Sequence, residues 1–323
     1  MRFTSNLFFQ IVIVASTFGN LACNSRHSQT SNSYKSDSKY AYDFDYKSAK
    51  KINFQYFAQS GSIRFEAIKD FDASRRGRRP IWIIESISTP VPIVDRMADG
   101  NKVEKLLDLL GSLKTIEVIK GGDGAPPGTK NPRASFEVAL EVGKIKFELG
   151  ETDLKRGTQY LKLTLPDHTV RGLIVSGGLI QFMEDHSKTD DFRHKRLSPI
   201  PIDEIKMIRI DKKNKTKTVL VRAGSKWKLQ KGKLPPNTTA SQLANEILLI
   251  EIKNFNDNLS FKPDSLKSTA SEYTIELARL LGKDPISLQL KIENNGNSLA
   301  STPSRKNQDF EVEGSALTKL RAL

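Results

Sequence analysis

Two tryptophans, Trp82 and Trp227, lie in matching stretches of the two halves of this chain, and they are its only tryptophans. Each stands in a short apolar strand that follows two alternating segments and precedes a proline-containing turn and a helix-like segment. A repeat constrains the fold more than composition does, because each copy must form the same unit and bury the same face. The pattern predicts a duplicated body in which both indole rings are core anchors with the ring N–H bonded at the edge of the core.

The first copy shows alternation of apolar and polar residues, then a helical period, then alternation again. Asp99 precedes the helical segment and is a suitable N-cap. The predicted elements are strands at residues 52–57, 63–68 and 80–84, a helix with its apolar face at Val103, Leu106, Leu107, Leu110 and Leu113, strands at 136–140 and 144–149, and a closing strand with a short apolar segment in 170–182.

The second copy repeats this order. Its predicted elements are strands at residues 205–210, 219–222 and 226–229, a helix from Thr239 with Leu243, Ile247 and Ile250 on one face, strands at 273–277 and 285–292, and a closing strand with an apolar segment in 310–320.

These patterns predict an α+β fold of two tandem repeats of a β-β-β-α-β-β-β module, with mostly antiparallel sheets that are each packed by a helix. Residues 40–46 alternate aromatic and polar side chains, which fits a weak edge strand, a partner-docking segment or, as we prefer, an adhesive linker. The predicted organisation is a signal peptide at 1–22, a flexible tether at 23–50, the first repeat at 51–183, an inter-repeat linker at 184–204 and the second repeat at 205–323.

The N-terminus predicts export. Residues 7–18 form an apolar run of the length of a signal-peptide core, which is too short to span a bilayer of about 20 residues. Ala22 then precedes Cys23, as lipoprotein processing requires, and this stretch resembles the bacterial lipobox except that Asn20 stands where leucine is usual. We expect cleavage after Ala22 and diacylglycerol on the Cys23 sulfur. A plain secreted protein is the alternative.

The position of the lipid anchor sets the expected location. Cys23 is followed by Asn24 rather than aspartate, which favours the outer membrane over the inner membrane. Because Cys23 is the only cysteine, a disulfide within the chain and a cysteine-based zinc site are both excluded.

The formal net charge of +14 predicts attraction to polyanions, although a lysine-rich solvated surface is the simpler interpretation. In an exported chain we expect no nucleic acid partner, and we expect anionic lipid, lipopolysaccharide or an acidic polymer instead. The most concentrated basic run before the first tryptophan comprises Arg75, Arg76, Arg78 and Arg79. Guanidinium groups grip phosphate and carboxylate bidentately, so this run is a candidate polyanion contact, and a passive solvated loop is its alternative.

The sequence gives little support for catalysis or for metal binding. Residues 121–130 contain glycines and a lysine, but their spacing and two prolines do not fit a phosphate loop. Acidic residues and histidines at 184–194 lack the spacing of metal ligands. We therefore predict no catalytic residue, no metal and no cofactor, while paired carboxylates brought together in space stay open.

The tryptophan strand, proline-rich turn and helix ending in Leu-Leu resemble the bacterial domain of unknown function 4340 family. Residues 192–197 (FRHKRL) and 202–205 (IDEI), leading into the strand of Trp227, carry the same resemblance, which covers about residues 60–260. Membership would imply an extracytoplasmic protein near ABC-transporter components of the gliding-motility type. It would imply no catalytic residues. Many members start with a transmembrane helix where this chain has its lipobox-like start.

The sequence thus favours a lipid-anchored, non-enzymatic envelope protein whose duplicated body meets a protein partner or an anionic polymer. A cell-wall or glycan hydrolase with carboxylates between the repeats is the first alternative. A carrier of an apolar ligand between sheet and helix is the second.

Overall fold

Alternating apolar residues in each half of the chain form antiparallel sheets with one buried face. A computed structural model of the chain describes residues 39–58, 61–70, 81–87, 96–119, 126–153, 155–198, 200, 202–213, 217–255, 271–280, 285–293, 298–302 and 310–323. Among them, no helix is both long enough and apolar enough to cross a bilayer.

Within its described residues, the first half contributes eight strands and two α-helices. These are β1 (Lys51–Ala58), β2 (Gly61–Asp70), β3 (Ile81–Ile87), α1 (Gly100–Gly111), β4 (Thr115–Val118), β5 (Ala134–Leu140), β6 (Gly143–Asp153), β7 (Thr158–Thr164), β8 (Val170–Ser176) and α2 (Leu179–Asp185). The strands form one sheet in the order β3-β2-β1-β5-β6-β7-β8-β4, and every neighbouring pair is antiparallel.

The second half contributes the same series. It comprises β9 (Ile205–Lys212), β10 (Lys217–Ala223), β11 (Lys226–Lys231), α3 (Ala240–Leu248), β12 (Glu251–Asn254), β13 (Ser271–Arg279), β14 (Ile286–Ile292), β15 (Ser298–Ser301), β16 (Phe310–Glu313) and α4 (Ser315–Arg321). Its sheet has the order β11-β10-β9-β13-β14-β15-β16-β12, which is the order of the first sheet strand for strand. The two halves therefore share one topology, in which the strand after the long helix returns to the far edge of the sheet.

The longer helix of each half begins at a side-chain cap. The Asp99 carboxylate accepts hydrogen bonds from the backbone N–H groups of Asn101 and Lys102 at 3.1 and 3.3 Å. Thr239 and Gln242 form a reciprocal capping box, in which the Thr239 N–H donates to Gln242 Oε1 at 2.9 Å. The predicted cap at Asp99 is thus confirmed.

The shorter closing helices, α2 and α4, each follow a glycine with a left-handed backbone. Gly178 has φ +139° and Gly314 has φ +151°, angles that side chains with a Cβ rarely adopt. The two glycines occupy corresponding places, because each stands between the eighth strand and the second helix of its half. Each half therefore places a glycine with a positive φ before its closing helix, although ψ differs, at −35° for Gly178 and 151° for Gly314.

Each sheet carries buried apolar side chains on alternating positions of its strands. In the second half, side chains of β9, β13, β14, α3 and α4 belong to one hydrophobic cluster, with Leu243, Ile247 and Leu320 among its members. In the first half, Phe54 stacks on Phe65 with ring centroids 5.1 Å apart, and both strands carry these rings on the buried face. Burial of this kind contributes about 25 cal/mol per Å² of apolar surface, so it is the main term that holds each half together.

The structure contains strands that the sequence patterns do not predict, and they are the same two in each half. The strands directly after the long helices, β4 and β12, have four residues each and show no usable period. The other two, β7 and β15, pair with the strand before them in their sheets. The predicted α+β class, the antiparallel pairing and the duplicated order are confirmed at this coarser level, and each sheet has eight strands.

The chain before β1 packs against the first half from residue 39 onward. Tyr42 and Phe44 are buried, and the Ala41 N–H donates to the Leu113 carbonyl at 2.7 Å. The sequence patterns place residues 39–50 in the tether and favour an adhesive linker at 40–46. In the structure the aromatic side chains of this segment are part of the body.

The two tryptophans are both buried, with 1% of Trp82 and 6% of Trp227 exposed. The indole N–H of Trp82 has no hydrogen-bond acceptor among the described residues, in contrast to the expected bond at the edge of the core. The Lys69 ammonium lies over this ring, 5.5 Å from its centroid.

Candidate partner interface

The residues predicted as sites from the sequence fall outside the described part of the chain. This holds for Cys23, the expected lipid attachment point, and for Arg75, Arg76, Arg78 and Arg79, the expected polyanion contact. Residues 1–22, predicted to be a signal peptide, also lie outside it. These predictions stay predictions.

The acidic residues and histidines near residue 190 are engaged in separate contacts. Glu184 pairs with Arg133 at 2.6 Å, and Asp190 pairs with Arg193 at 3.2 Å. His186 Nδ1 lies 2.9 Å from the Phe182 carbonyl oxygen, and its ring stacks on that of Phe182. Within the described residues no three such groups converge as metal ligands would.

A single short segment joins the two sheets by backbone hydrogen bonds. On the side of the first sheet, the Asp99 N–H donates to the Phe192 carbonyl at 2.8 Å, and the His194 N–H donates to the Met97 carbonyl at 3.0 Å. On the side of the second sheet, the Leu197 N–H donates to the Ile250 carbonyl at 2.9 Å. The segment at 192–197, which we call the joint, therefore pairs with residues 97–99 of one half and with the edge of β12 in the other.

The outer edge of β3 is covered by the chain that leads into α1. The Ile84 N–H donates to the Arg96 carbonyl at 2.7 Å, and the Ala98 N–H donates to the Trp82 carbonyl at 3.0 Å. The Arg96 side chain donates to the Ile84 carbonyl at 2.9 Å as well. Both outward-facing residues of this edge, Trp82 and Ile84, are thus paired.

The edge of β4 is covered in the same way. Residue Tyr40 forms an isolated antiparallel bridge with Lys114, and the Thr115 N–H donates to the Lys39 carbonyl at 2.9 Å. Three of the four outer strands, β3, β4 and β12, therefore carry a backbone partner on their outer side. Pairing of this kind prevents unwanted strand addition at an edge.

The fourth outer strand, β11, is different. The Trp227 N–H points away from β10 and donates to the Ser241 hydroxyl at 3.0 Å. Because N–H and C=O groups alternate in direction along an antiparallel strand, the N–H and C=O of Leu229 also point away from β10. Among the described residues neither group of Leu229 has a backbone partner, and the Leu229 side chain is 39% exposed.

The sequence before α3 explains this difference. Counted back from the helix caps Asp99 and Thr239, the segment 96–98 that covers β3 corresponds to residues 236–238. Asn237, in the middle of this stretch, has φ +55°, which turns the chain out of an extended path. The second half therefore lacks the extended segment that covers this edge in the first half.

Positive charge is concentrated around this edge. Residues 205–234 contain nine lysines, two arginines and one acidic residue, Asp211. This stretch therefore carries much of the net charge of +14 of the whole chain. Three of these basic residues lie in ion pairs: Arg209 with Glu276 at 2.6 Å, Lys213 with Glu272 at 2.8 Å and Lys217 with Asp211 at 3.3 Å.

Four lysines on β11 and the turn after it have no carboxylate partner among the described residues. They are Lys226, Lys228, Lys231 and Lys233, and all four are exposed. Lys226 and Lys228 lie on the face of the strand opposite the buried Trp227 ring, because side chains alternate. We call the outer edge of β11 together with these four lysines the basic edge.

The basic edge is not among the sites predicted from the sequence. Residues 226–229 are predicted only as the second tryptophan strand, and the predicted polyanion contact is the arginine run at 75–79. Alternating lysines around Trp227 are a visible signal, but lysine on a strand also occurs simply to keep an edge from aggregating. What distinguishes the basic edge is its uncovered backbone, which a single strand sequence does not reveal.

Comparison with known proteins identifies no family for this chain. No family model matches the chain, and neither a curated protein nor a solved structure matches it.

Proposed function

We propose that this chain is a lipid-anchored, non-enzymatic protein of the bacterial cell envelope. Acyl chains on Cys23 hold it at the membrane, with the outer membrane favoured over the inner, and its body presents the basic edge to a protein partner or an anionic envelope polymer. The resemblance to the domain of unknown function 4340 family suggests a transporter or gliding-type assembly as the setting. The body itself is a tandem duplication of a β-β-β-α-β-β-β core module, extended in each half and packed by a helix.

The observation that carries the proposal is the clustering of unpaired positive charge on one edge. Elsewhere in the sheets, carboxylates on the same or a neighbouring strand compensate lysines, as where Lys146 and Lys162 meet Glu148 at 2.8 and 3.0 Å. On the basic edge four ammonium groups face solvent within one strand and its turn. Such a field concentrates negatively charged partners and speeds their encounter with the protein.

The hydrolase alternative gains nothing from the carboxylates beside the joint. Asp99 caps α1, Asp190 pairs with Arg193, and Asp191 accepts a hydrogen bond from the Lys188 N–H at 3.0 Å. A glycosidase needs two carboxyl groups that flank one bond of the substrate. The described carboxylates at the joint instead hold backbone and cations in place.

The proposal is tested by measuring binding of the full mature protein, with its anchor held in neutral phosphatidylcholine nanodiscs and without free detergent, to polyglutamate, to lipopolysaccharide and to phosphatidylglycerol vesicles. We expect at least one of these probes to bind with an affinity that falls steeply with salt. Replacing Lys226, Lys228, Lys231 and Lys233 together by glutamine is expected to weaken that binding by about tenfold or more, since each lost contact near a charged surface contributes about 1 kcal/mol.

A matched variant controls for net charge. Glutamine at Lys114, Lys130, Lys155 and Lys188 removes the same charge from four exposed positions outside the basic edge. This variant should keep most of the affinity. Equal losses in the two variants, or no binding to any probe, would refute the role of the basic edge.

A further inference from the structure

The first half of the molecule shows how an edge of this topology is used. Trp82 and Ile84 present their outward backbone groups to an extended segment at 96–98, which pairs with them in antiparallel sense. Residues 97–99 in turn pair with 192–194 from the linker. The edge of β3 thus accepts one added strand, and a second strand is added beyond it.

Trp227 and Leu229 are the counterparts of Trp82 and Ile84, 145 positions along the chain. The strand beside their edge, β10, corresponds to β2 of the first half, and the long helix that follows, α3, corresponds to α1. Only the covering segment is missing among the described residues, because the backbone turns at Asn237. No described segment pairs with the backbone of Leu229, whereas that of Ile84 is occupied.

We infer that the basic edge binds an extended, acidic segment of another protein, which adds to β11 as an antiparallel strand. This inference rests on the proposed function, because it names the class of partner that the basic edge takes. Main-chain hydrogen bonds to Leu229 supply the pairing, and the lysines select for acidic side chains.

The face of β11 on which each side chain lies determines the residue pattern of the added segment. Side chains directly opposite each other in an antiparallel pair lie on the same face. The residue opposite Leu229 shares its half-exposed apolar face, so it is apolar. The residues on either side of it lie on the face of Lys226 and Lys228, so they are aspartate or glutamate. The partner segment therefore alternates acidic and apolar residues.

Two occupants from the same protein are disfavoured. A second copy of β11 would bring a second set of lysines against the first, and like charges opposite each other destabilise a strand pair. Residues 40–46 of this chain have an alternating aromatic and acidic pattern, but Tyr42 and Phe44 are buried in the first half. An acidic segment of a different protein meets neither obstacle.

The probe is a short fluorescent peptide in which glutamate alternates with valine, titrated into the full mature protein. Two derivatives carry N-methyl groups, one on every valine amide and the other on every glutamate amide. In the inferred register the valine opposite Leu229 directs its N–H toward β11, whereas the glutamate N–H groups point away. We expect methylation at valine to lower the affinity by about tenfold or more, since about 1 kcal/mol is lost for each hydrogen bond, and methylation at glutamate to leave it nearly unchanged.

Substitutions in the protein give an independent test. Leu229→Pro removes the outward N–H but leaves every lysine in place, and proline is tolerated on an edge strand at such a position. It should weaken the peptide about tenfold while leaving binding to phosphatidylglycerol vesicles unchanged. Leu229→Val keeps the N–H and should bind the peptide normally. Trp227 fluorescence and the melting temperature verify that both variants fold.

The possible outcomes separate this inference from the proposed function. If all three peptides bind equally and Leu229→Pro has no effect, while the four-lysine variant still binds less, strand addition is refuted and the basic edge survives as an electrostatic surface. If vesicles bind and no peptide does, an anionic lipid takes the place of the acidic segment and the inference is wrong. If no probe depends on the four lysines, both proposals fail.

Discussion

The guanidinium carbon of Arg193 lies 3.8 Å from the centroid of the Phe255 ring. Arg193 belongs to the segment between the halves, and its backbone bridges to Ala98 of the first half, whereas Phe255 follows β12 of the second. The Arg193 side chain is fully buried and also pairs with Asp190. One residue therefore bonds to the first half through its backbone and stacks on the second through its side chain.

Replacing Arg193 by alanine is expected to lower the free energy of unfolding by about 2–4 kcal/mol, because a desolvated cation–π contact and the packing of a buried side chain are lost together. The two tryptophans report on the halves separately when Trp82→Phe and Trp227→Phe are compared in denaturant titrations. The two transitions should coincide in the parent protein and separate in the Arg193→Ala background. Arg156→Ala, at an exposed ion pair with Asp153, is the control and should have little effect. Coincident transitions in every variant would contradict a coupling role for Arg193.

Two side chains of the joint insert into different cores, so their removal should unfold different halves first. Phe192 packs on Phe54 and Phe65 of the first sheet at centroid distances of 4.9 and 5.3 Å. Leu197 belongs to the hydrophobic cluster of the second half. We expect Phe192→Ala to cost about 3–5 kcal/mol and Leu197→Ala about 2–5 kcal/mol. Trp82 should report the first loss and Trp227 the second, and the reverse assignment would count against this packing.

Glu148 should make the stability of the protein depend on pH. Burial alone would raise the pKa of Glu148, but hydrogen bonds from Lys146 and Lys162 outweigh it and hold the pKa below its ordinary value of 4.5. A carboxyl with a lowered pKa in the folded state stabilises the protein above its unfolded pKa, and this contribution is lost as the pH falls through the folded pKa.

Glu148→Gln is therefore expected to lower the free energy of unfolding by about 1–3 kcal/mol at pH 7, as for loss of charge-assisted hydrogen bonds. The difference from the parent protein should shrink steadily as the pH is lowered below about 4.5. Urea titrations across this range measure it, and Glu151→Gln, an exposed position without an ion pair among the described residues, is the control. A difference that stays constant down to the lowest pH would show that the ion pairs do not stabilise the fold.

The lipid anchor is tested at Cys23. We expect radiolabelled palmitate to be incorporated into the parent protein, which should partition into the detergent phase of a cloud-point extraction. Cys23→Ala should lose both properties, because acyl chains contribute about 0.8 kcal/mol per buried methylene group. Ser25→Ala, in the same segment, is the matched control and should behave as the parent. Label that persists in Cys23→Ala would refute the assignment.

Features that depend on neighbours along the chain were predictable. The cap at Asp99, the start of α3 near Thr239, the apolar faces of α1 and α3 and the alternation in β1, β2, β9 and β13 all follow from short-range spacing. The repeated order around Trp82 and Trp227 follows from comparing such patterns, and the shared sheet topology agrees with it. The four-residue strands β4 and β12 escaped prediction because their pairing partners, β8 and β16, lie far along the chain.

The candidate interface could not be predicted from the sequence, for a related reason. Periodicity tells which face of a strand is buried, but an edge is defined by the backbone groups that no other segment reaches. Local patterns along the chain were enough to predict the duplication and the fold class, and they show the lysines around Trp227 directly. Three features became apparent only from the folded chain: residues 96–98 cover β3, no described segment covers β11, and Arg193 lies buried against Phe255. Each of them depends on contacts between residues distant in the chain.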